Sequence, residues 1–289
     1  MTIAACVHRA VAVLVDAGFA PDAARIDVAV LGRHLLGWDT AAWLTRQRDD
    51  APAAWGEALM PLVVRRASGE PVAYLTGTRE FYGRAFTVTP DVLIPRPETE
   101  QIMDLALVRI GETAAADAPV TVVDVGTGSG CLAVTLAAER PHLRVIATDT
   151  STAALHVAAG NAARHDVADR VAYTHGSLTA GTAGARLIVS NPPYIPLTDR
   201  DRLMRDVRDF EPATALFGGA DGLDVIRALA PDAFRALGGG GTLLIEVGAG
   251  QASAVGRLLA DNGFTGLATH ADLAGIPRIV EGRTPATSV

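Results

Sequence analysis

The stretch VVDVGTGSGCLAVTLAAER (residues 122–140) decides the fold. It opens with Val122, Val123 and Val125 around Asp124, breaks at Gly126, Gly128 and Gly130, and resumes with apolar residues at helical spacing. A short branched run, a glycine turn and an apolar helix make a buried strand feeding a crossover helix. Working outward, apolar β-rich runs recur at 120–125, 143–149, 170–175, 186–191 and 241–248. Helical patterns lie between them at about 130–139, 151–164, 221–236 and 251–261. That alternation predicts an α/β domain with a mostly parallel sheet covered on both faces. FTGLATHADLAGIPRIVEG (264–282) adds two strands with no helix between them, an antiparallel pair closing the sheet.

Upstream the period changes. Residues 1–70 read as helices, with apolar positions every three or four residues through Val11, Leu14 and Val15, then Ile26, Val30 and Leu31, then Trp55, Leu59, Leu62 and Val63. PVAYLTG and FYGRAFTVTPDVLIPRP, within 71–95, read as short extended pieces broken by glycine and proline, a hairpin-like linker. ETEQIMDLALVRI (98–110) returns to a helical pattern. The expected organisation is a helical domain at 1–70, a β-hairpin linker at 71–95 and a catalytic domain at 96–289.

Composition narrows the classes. The chain has 289 residues, about half of them apolar, enough for a large core. Arg9 and Asp16 interrupt the apolar start, so it reads as an amphipathic helix and not a secretory segment, and no run is long and apolar enough to span a membrane. Two cysteines without ligand spacing and seven scattered histidines predict no metal site and fit a reducing, cytoplasmic setting. All 25 basic residues are arginine, which removes lysine Schiff-base chemistry and a phosphate-gripping lysine. The net charge of −7 argues against a chain held on duplex DNA by its field.

The glycine loop and its acids point to a nucleoside-containing cofactor. Asp124, Gly126, Thr127, Gly128 and Gly130 lie at the end of the first strand, and Asp149 ends the next, about twenty residues on, where a carboxylate would accept from ribose hydroxyls. Cysteine stands where a dinucleotide fingerprint has its third glycine, and Asp124 would oppose a pyrophosphate. Asp124 would face a cationic cofactor or hold the loop's amides. S-adenosylmethionine, which carries a sulfonium and no phosphate, suits the site better than a dinucleotide. Asn161 and Arg164 are read either as neighbours of the adenine or as the polar end of a helix.

In RLIVSNPPYIP (186–196) the fourth strand ends in Asn191, Pro192, Pro193 and Tyr194. The Asn191 side-chain oxygen and the Pro192 carbonyl offer two acceptors to an NH2 group, and Tyr194 offers a flat face. A planar amide or exocyclic nitrogen is a poor nucleophile. Two acceptors on its hydrogens favour the electron-rich, pyramidal form and hold it in line for attack. No strong base is needed before attack; Asp199 and Glu211 stand as candidate proton acceptors. Glutamine, asparagine and adenine all carry such a nitrogen. Arg205 and Arg208 among Asp201, Asp206 and Asp209 read as a solvated helical insert, and EVGAGQ (246–251) as a strand end entering a helix.

The chain resembles the peptide chain release factor glutamine N5-methyltransferases. PVAYLTGTREFYGRAFTVTPDVLIPRPETE (71–100), VVDVGTGSG (122–130), SNPPYI (190–195) and VRDFEPATALFGGADGLDVI (207–226) carry the resemblance. NPPY is shared with adenine-N6 DNA methyltransferases, whereas LIPRPETE and DFEP are more specific. The resemblance implies a Rossmann-like, seven-stranded methyltransferase domain behind a helical N-terminal domain and a β-hairpin. It implies methyl transfer from S-adenosylmethionine to the glutamine of a Gly-Gly-Gln loop in release factors. It places Gly126, Gly128, Asp149 and Asn191 at the cofactor, Asn191, Pro192, Pro193 and Tyr194 at the glutamine, and Arg96 and Glu98 near the cleft. Relatives carry an acidic residue near Ser177, so Ser177 and Leu178 are expected to meet the adenine through other atoms. Residues 1–89 hold nine arginines and nine acids, a neutral surface suited to gripping a protein partner and not nucleic acid. A monomer is the favoured state. The competing functions are an adenine-N6 DNA methyltransferase and a non-catalytic adaptor on release factor or ribosome.

Overall fold

The computed structural model describes residues 1–111 and 120–286, divided into two compact units. The first comprises Met1–Thr78 with Met204–Phe210, the second Arg79–Leu203 with Glu211–Val289, of which 287–289 lie outside the described residues.

In the first unit, α1 (Ile3–Asp16), α2 (Pro21–Leu36), α3 (Thr40–Thr45), α4 (Trp55–Ala67) and α5 (Val72–Thr76) enclose one apolar core. Ile3, Leu14, Val28, Leu31, Trp43, Trp55, Leu59 and Val63 fill it, following the helical spacing of the sequence. The Thr2 and Asp39 side chains cap α1 and α3 by accepting from the amides of Ala5 and Ala42. PVAYLTG was expected to be extended, but Val72–Thr76 is helical. Five residues show no decisive period, and the helix buries Tyr74 and Leu75 side by side.

The second unit begins with a hairpin, β1 (Thr78–Phe81) and β2 (Arg84–Thr87). Its two-residue turn, Tyr82–Gly83, has φ of 50° and 71°, the twist that matches flanking strands. Phe81 and Phe86 are buried edge to face, and the Tyr82 amide donates to Glu100 Oε1 at 2.8 Å.

Beyond α6 (Glu100–Gly111) come β3 (Val120–Val125), α7 (Cys131–Glu139), β4 (Leu143–Asp149), α8 (Thr152–Arg164), β5 (Val171–His175) and β6 (Ala185–Ser190). Two short helices follow, α9 (Arg205–Phe210), which belongs to the first unit, and α10 (Ala213–Leu216). The chain ends with α11 (Asp224–Ala236), β7 (Leu237–Glu246), α12 (Ala252–Asp261), β8 (Thr265–Ala271) and β9 (Pro277–Arg283). The seven strands run β5-β4-β3-β6-β7-β9-β8, with β9 antiparallel to both β7 and β8. This is the fold read from the sequence, including its closing pair; β7 starts four residues earlier than its apolar run.

Alternate residues of the central strands enter separate cores. Val122, Leu187 and Leu244 meet α6 and α7, while Val123, Ile188, Leu243 and Ile245 meet α11 and α12. From β3 the chain steps outward through β4 to β5, then returns to β6 on the other side of β3. That reversal opens a crevice at the carboxyl ends of β3 and β6, where open sheets bind ligands. Among the described residues no helix is long and apolar enough to cross a membrane.

Candidate active site

Strand register brings three of the predicted residues, Gly126, Asp149 and Asn191, into one row. Val125 lies opposite Thr148 on one side and Ser190 on the other, and Ser190 lies opposite Ile245. The residues that follow are Asp149, Gly126, Asn191 and Glu246, at the carboxyl ends of four neighbouring strands. Ser190 Oγ donates to the Val125 carbonyl at 2.8 Å and ties the two central strand ends together.

A cavity of about 500 Å³ opens over this row, within the range of small-molecule sites. Gly126, Thr127, Gly128, Asp149, Ser177, Leu178, Asn191, Pro193 and Arg96, all singled out from the sequence, line it. A Cβ built on Gly126 or Gly128 meets no atom within 4 Å, so both leave the wall open to a ligand. Asp124, Gly130 and Pro192 are buried and do not line the cavity. Gly130 has φ of 80°, and a Cβ there would lie 2.9 Å from Ala158 Cβ; it lets α7 start against α8.

Asp124 is 1 % exposed and holds the loop from beneath, with Oδ2 accepting from Thr127 Oγ1 at 2.7 Å and the Ala133 amide at 3.1 Å. Its Oδ1 is buried without a partner. Burial pushes this carboxyl up to about 7, against the pull of those two bonds. Burial likewise pushes the neighbouring Cys131 thiol up to about 12. Glu98 is exposed and off the cavity wall, Pro192 is buried, and Tyr194 is half-buried.

The loop's own hydrogen bonds discriminate between cofactors. The amides of Gly126 and Thr127 donate to the Thr148 carbonyl, that of Gly128 to Asp149 Oδ2 at 2.9 Å, and that of Gly130 to the Thr127 carbonyl. These four donors are used within the protein and are not offered to a pyrophosphate. The Asp149 carboxylate on the wall and the open glycine backbone fit S-adenosylmethionine, which carries positive charge and no phosphate.

Asn161 is fully buried and takes no part in the cavity wall. Its Oδ1 accepts from the Thr87 amide at 2.7 Å, and its Nδ2 donates to the carbonyls of Thr87 and Ser129 at 2.9 and 2.8 Å. It therefore ties the hairpin to the glycine loop, and Arg164 adds a bond to Thr87 Oγ1. Of the two candidate proton acceptors, Asp199 pairs with Arg202 at 2.9 Å. Glu211 accepts from Arg96 at 2.5 Å and from the Ile94 amide at 3.2 Å. Neither lines the cavity. The Arg96–Glu211 pair joins the LIPRPETE and DFEP segments across 115 positions of sequence.

Two residues at the site escaped the sequence reading, Thr99 and Glu246. Thr99 Oγ1 donates to Glu246 Oε2 at 2.7 Å and accepts from Asn191 Nδ2 at 3.0 Å, while Tyr194 Oη donates to Glu246 Oε1 at 3.2 Å. Their signal was a lone carboxylate at the end of the apolar run TLLIE, since a buried charge is far more informative than an exposed one. Burial, with the nearby Glu246 charge second, raises the Tyr194 phenol well above its ordinary range.

Known proteins resemble this chain over most of its length. Residues 5–77 match the family model of the PrmC N-terminal domain, and residues 107–205 that of the methyltransferase small domain. The release factor glutamine methyltransferase of Neisseria gonorrhoeae is 44 % identical over 263 residues, 90 % of this chain and 93 % of that protein. That of Cereibacter sphaeroides is 41 % identical over 287 residues, 99 % of this chain and 100 % of that protein. Among solved structures, the hMettl16 catalytic domain in complex with a MAT2A 3'UTR hairpin superposes with a TM-score of 0.58 at 15 % identity, covering 75 % of this chain and 81 % of that one. At that identity the likeness is one of fold. The sequence relatives extend over both units at more than 40 % identity, and this chain belongs to the release factor glutamine methyltransferase family.

Proposed function

We propose that this protein transfers a methyl group from S-adenosylmethionine to the side-chain amide nitrogen of the glutamine in the Gly-Gly-Gln loop of peptide chain release factors, acting in the cytoplasm. The observation that carries the reading is the row of strand ends. It sets the glycine loop, Asp149 and Asn191 on one cavity wall, with Asn191 Oδ1 free of any partner among the described residues.

The bound cofactor supplies an electrophilic methyl group on sulfur. Asp149 would hold the ribose hydroxyls, the Gly126–Gly128 backbone would lie along the ligand, and Ser177 and Leu178 would meet the adenine. Asn191 Oδ1 on the cavity wall and the carbonyl of the buried Pro192 behind it would accept the two hydrogens of the glutamine NH2, drawing its lone pair out of the amide plane and orienting it. Tyr194, anchored by Glu246 at its hydroxyl and by Gln251 Nε2 at its carbonyl (2.9 Å), supplies the flat face beside the amide. Arg96, paired with Glu211, shapes the cavity mouth, and the exposed Glu98 lies beside it. The nitrogen–methyl bond forms as the sulfur–methyl bond breaks, the electron pair stays on sulfur, and the amide's extra proton passes to bulk solvent, since neither Asp199 nor Glu211 lines the cavity.

The helical residues 1–70 serve as the recognition domain for the release factor, with remote contacts supplying binding energy for positioning. Residues 71–95 link them to the methyltransferase domain at 96–289. The test is methyl transfer from radiolabelled S-adenosylmethionine in a competition between release factor and adenine-bearing DNA, with mass-spectrometric mapping. Label on the Gly-Gly-Gln glutamine alone is expected. Label on adenine would replace the substrate assignment, and absence of cofactor binding would leave an adaptor.

A further inference from the structure

We propose that Thr99 and Glu246 form a directional hydrogen-bond relay that fixes which end of the Asn191 amide faces the substrate, making both of them positioning residues for methyl transfer. The inference deepens the proposed function and rests on its assignment of Asn191 as an acceptor.

Hydrogen-bond direction follows from charge. An ionised carboxylate only accepts, and a hydroxyl has one proton to give. Glu246 is 1 % exposed, and its Oε2 lies 2.7 Å from Thr99 Oγ1, so the Thr99 proton is committed to it. Thr99 is then left with only lone pairs toward Asn191, and the Asn191 group at 3.0 Å from it must be the donor Nδ2. By elimination Oδ1 is the end presented to an incoming NH2. Were Glu246 neutral and donating, the chain would be free to reverse, and Asn191 would turn two hydrogens toward a substrate that also brings hydrogens.

The relay is built into the fold and lies off the reacting atoms. Asn191 and Glu246 follow the register pair Ser190 and Ile245, so adjacent parallel strands bring them together. Residue 246 points to the same face of the sheet as Leu244, the face covered by α6, and Thr99 immediately precedes that helix. Glu246 does not line the cavity, whereas Thr99 and Asn191 do.

The charged groups facing Glu246 come from each neighbouring element. Glu98 beside Thr99 opposes its ionisation, Arg278 on β9 and the Tyr194 hydroxyl favour it, and the Cys131 thiol at the start of α7 senses its charge. Burial is the largest influence and raises the carboxyl above the ordinary range. The relay thus carries a pH signature. Turnover requires the ionised form, so it falls on the acid side at a higher pH than an ordinary glutamate would dictate.

The experiment is steady-state kinetics on the full chain with intact release factor and S-adenosylmethionine, with cofactor Kd by calorimetry. Glu246→Gln is expected to lower kcat about 10- to 100-fold, to leave cofactor Kd within about 2-fold, and to abolish the acid limb. Thr99→Val should behave alike, and Thr99→Ser, which keeps the hydroxyl, should recover to within about 3-fold of the parent. A Glu246→Gln enzyme with parental kcat, or with its acid limb intact, would overturn the relay. So would a Thr99→Ser enzyme as slow as Thr99→Val, a comparison that decides the matter even if Glu246→Gln does not fold. Asn191→Ala separates the two levels. Parental turnover in that variant sinks the assignment of Asn191 and the relay with it, whereas an inactive Asn191→Ala beside a parental Glu246→Gln sinks the relay alone.

Discussion

Gly126→Ala and Gly130→Ala are the same chemical change four residues apart, yet they should fail in different ways. Both positions have positive φ, 73° and 80°, so each alanine pays a left-handed penalty of roughly 1–2 kcal/mol. At Gly126 nothing else is added, because the new methyl enters the cavity. At Gly130 the methyl would lie 2.9 Å from Ala158 Cβ and 3.1 Å from its Cα. A backbone atom cannot swing aside, so α7 and α8 must separate, and overpacking of this kind adds about 1–3 kcal/mol. The total for Gly130→Ala is about 2–5 kcal/mol, or roughly 4–20 °C in Tm for a unit of this size. Differential scanning calorimetry and S-adenosylmethionine titration should therefore dissociate the two. Gly126→Ala should melt about 2–8 °C below the parent and bind cofactor poorly. Gly130→Ala should melt lower and, at a temperature where it is folded, bind cofactor like the parent. Adding Ala158→Gly should reveal a coupling of at least about 1 kcal/mol with Gly130→Ala. Equal destabilisation by the two alanines, or no coupling with Ala158, would refute the division of the loop into a ligand wall and a packing hinge.

Other expectations follow from the bonds described. Asn161→Ala removes three hydrogen bonds, two to the Thr87 backbone and one to the buried Ser129 carbonyl, and should cost about 3 kcal/mol in urea denaturation. Arg96→Ala removes the charged partner of the buried Glu211 carboxylate and should cost about 3 kcal/mol. Combining it with Glu211→Gln should recover most of that loss by the same measurement. Asp124 has a folded-state carboxyl raised to about 7, so the native state holds its proton longer than the unfolded chain does. Stability from this group is therefore greatest below the unfolded value and lost as pH rises toward 7 and beyond. Asp124→Asn does not titrate, so its stability relative to the parent should improve by up to about 4 kcal/mol between pH 4 and pH 8, read as the pH dependence of the denaturation midpoint.

The parts of the molecule legible in the sequence were those encoded locally. Val120–Val125, Leu143–Asp149 and Ala185–Ser190 announce buried strands because both faces are apolar, and the glycines after Val125 mark the turn. What stayed hidden depends on register or on distant chain. Thr99 and Glu246 lie 147 positions apart and meet only because the sheet order sets β7 beside β6. Gly130 and Gly126 look alike in one dimension, and only the passage of α8 past the loop separates their tasks. Asn161 reads as the polar end of a helix until the hairpin backbone arrives opposite it. The insert after NPPY reads as solvated surface, yet α9 joins the first unit. There Asp206 lies 3.7 Å from Arg66, and the Arg205 stem would meet a Cβ built on Gly69 at 3.2 Å.

The use of four glycine-loop amides by the protein's own acceptors bears on speed. A loop with four of its amides already partnered keeps its shape when empty, so ligand arrival has little left to order. Encounter with the cofactor should then proceed in one kinetic step, with an observed rate linear in concentration and no plateau from a preceding rearrangement. Exchange of spent for fresh cofactor would be governed by how tightly each is held, and the enzyme would be ready for the next release factor as soon as the pocket is refilled.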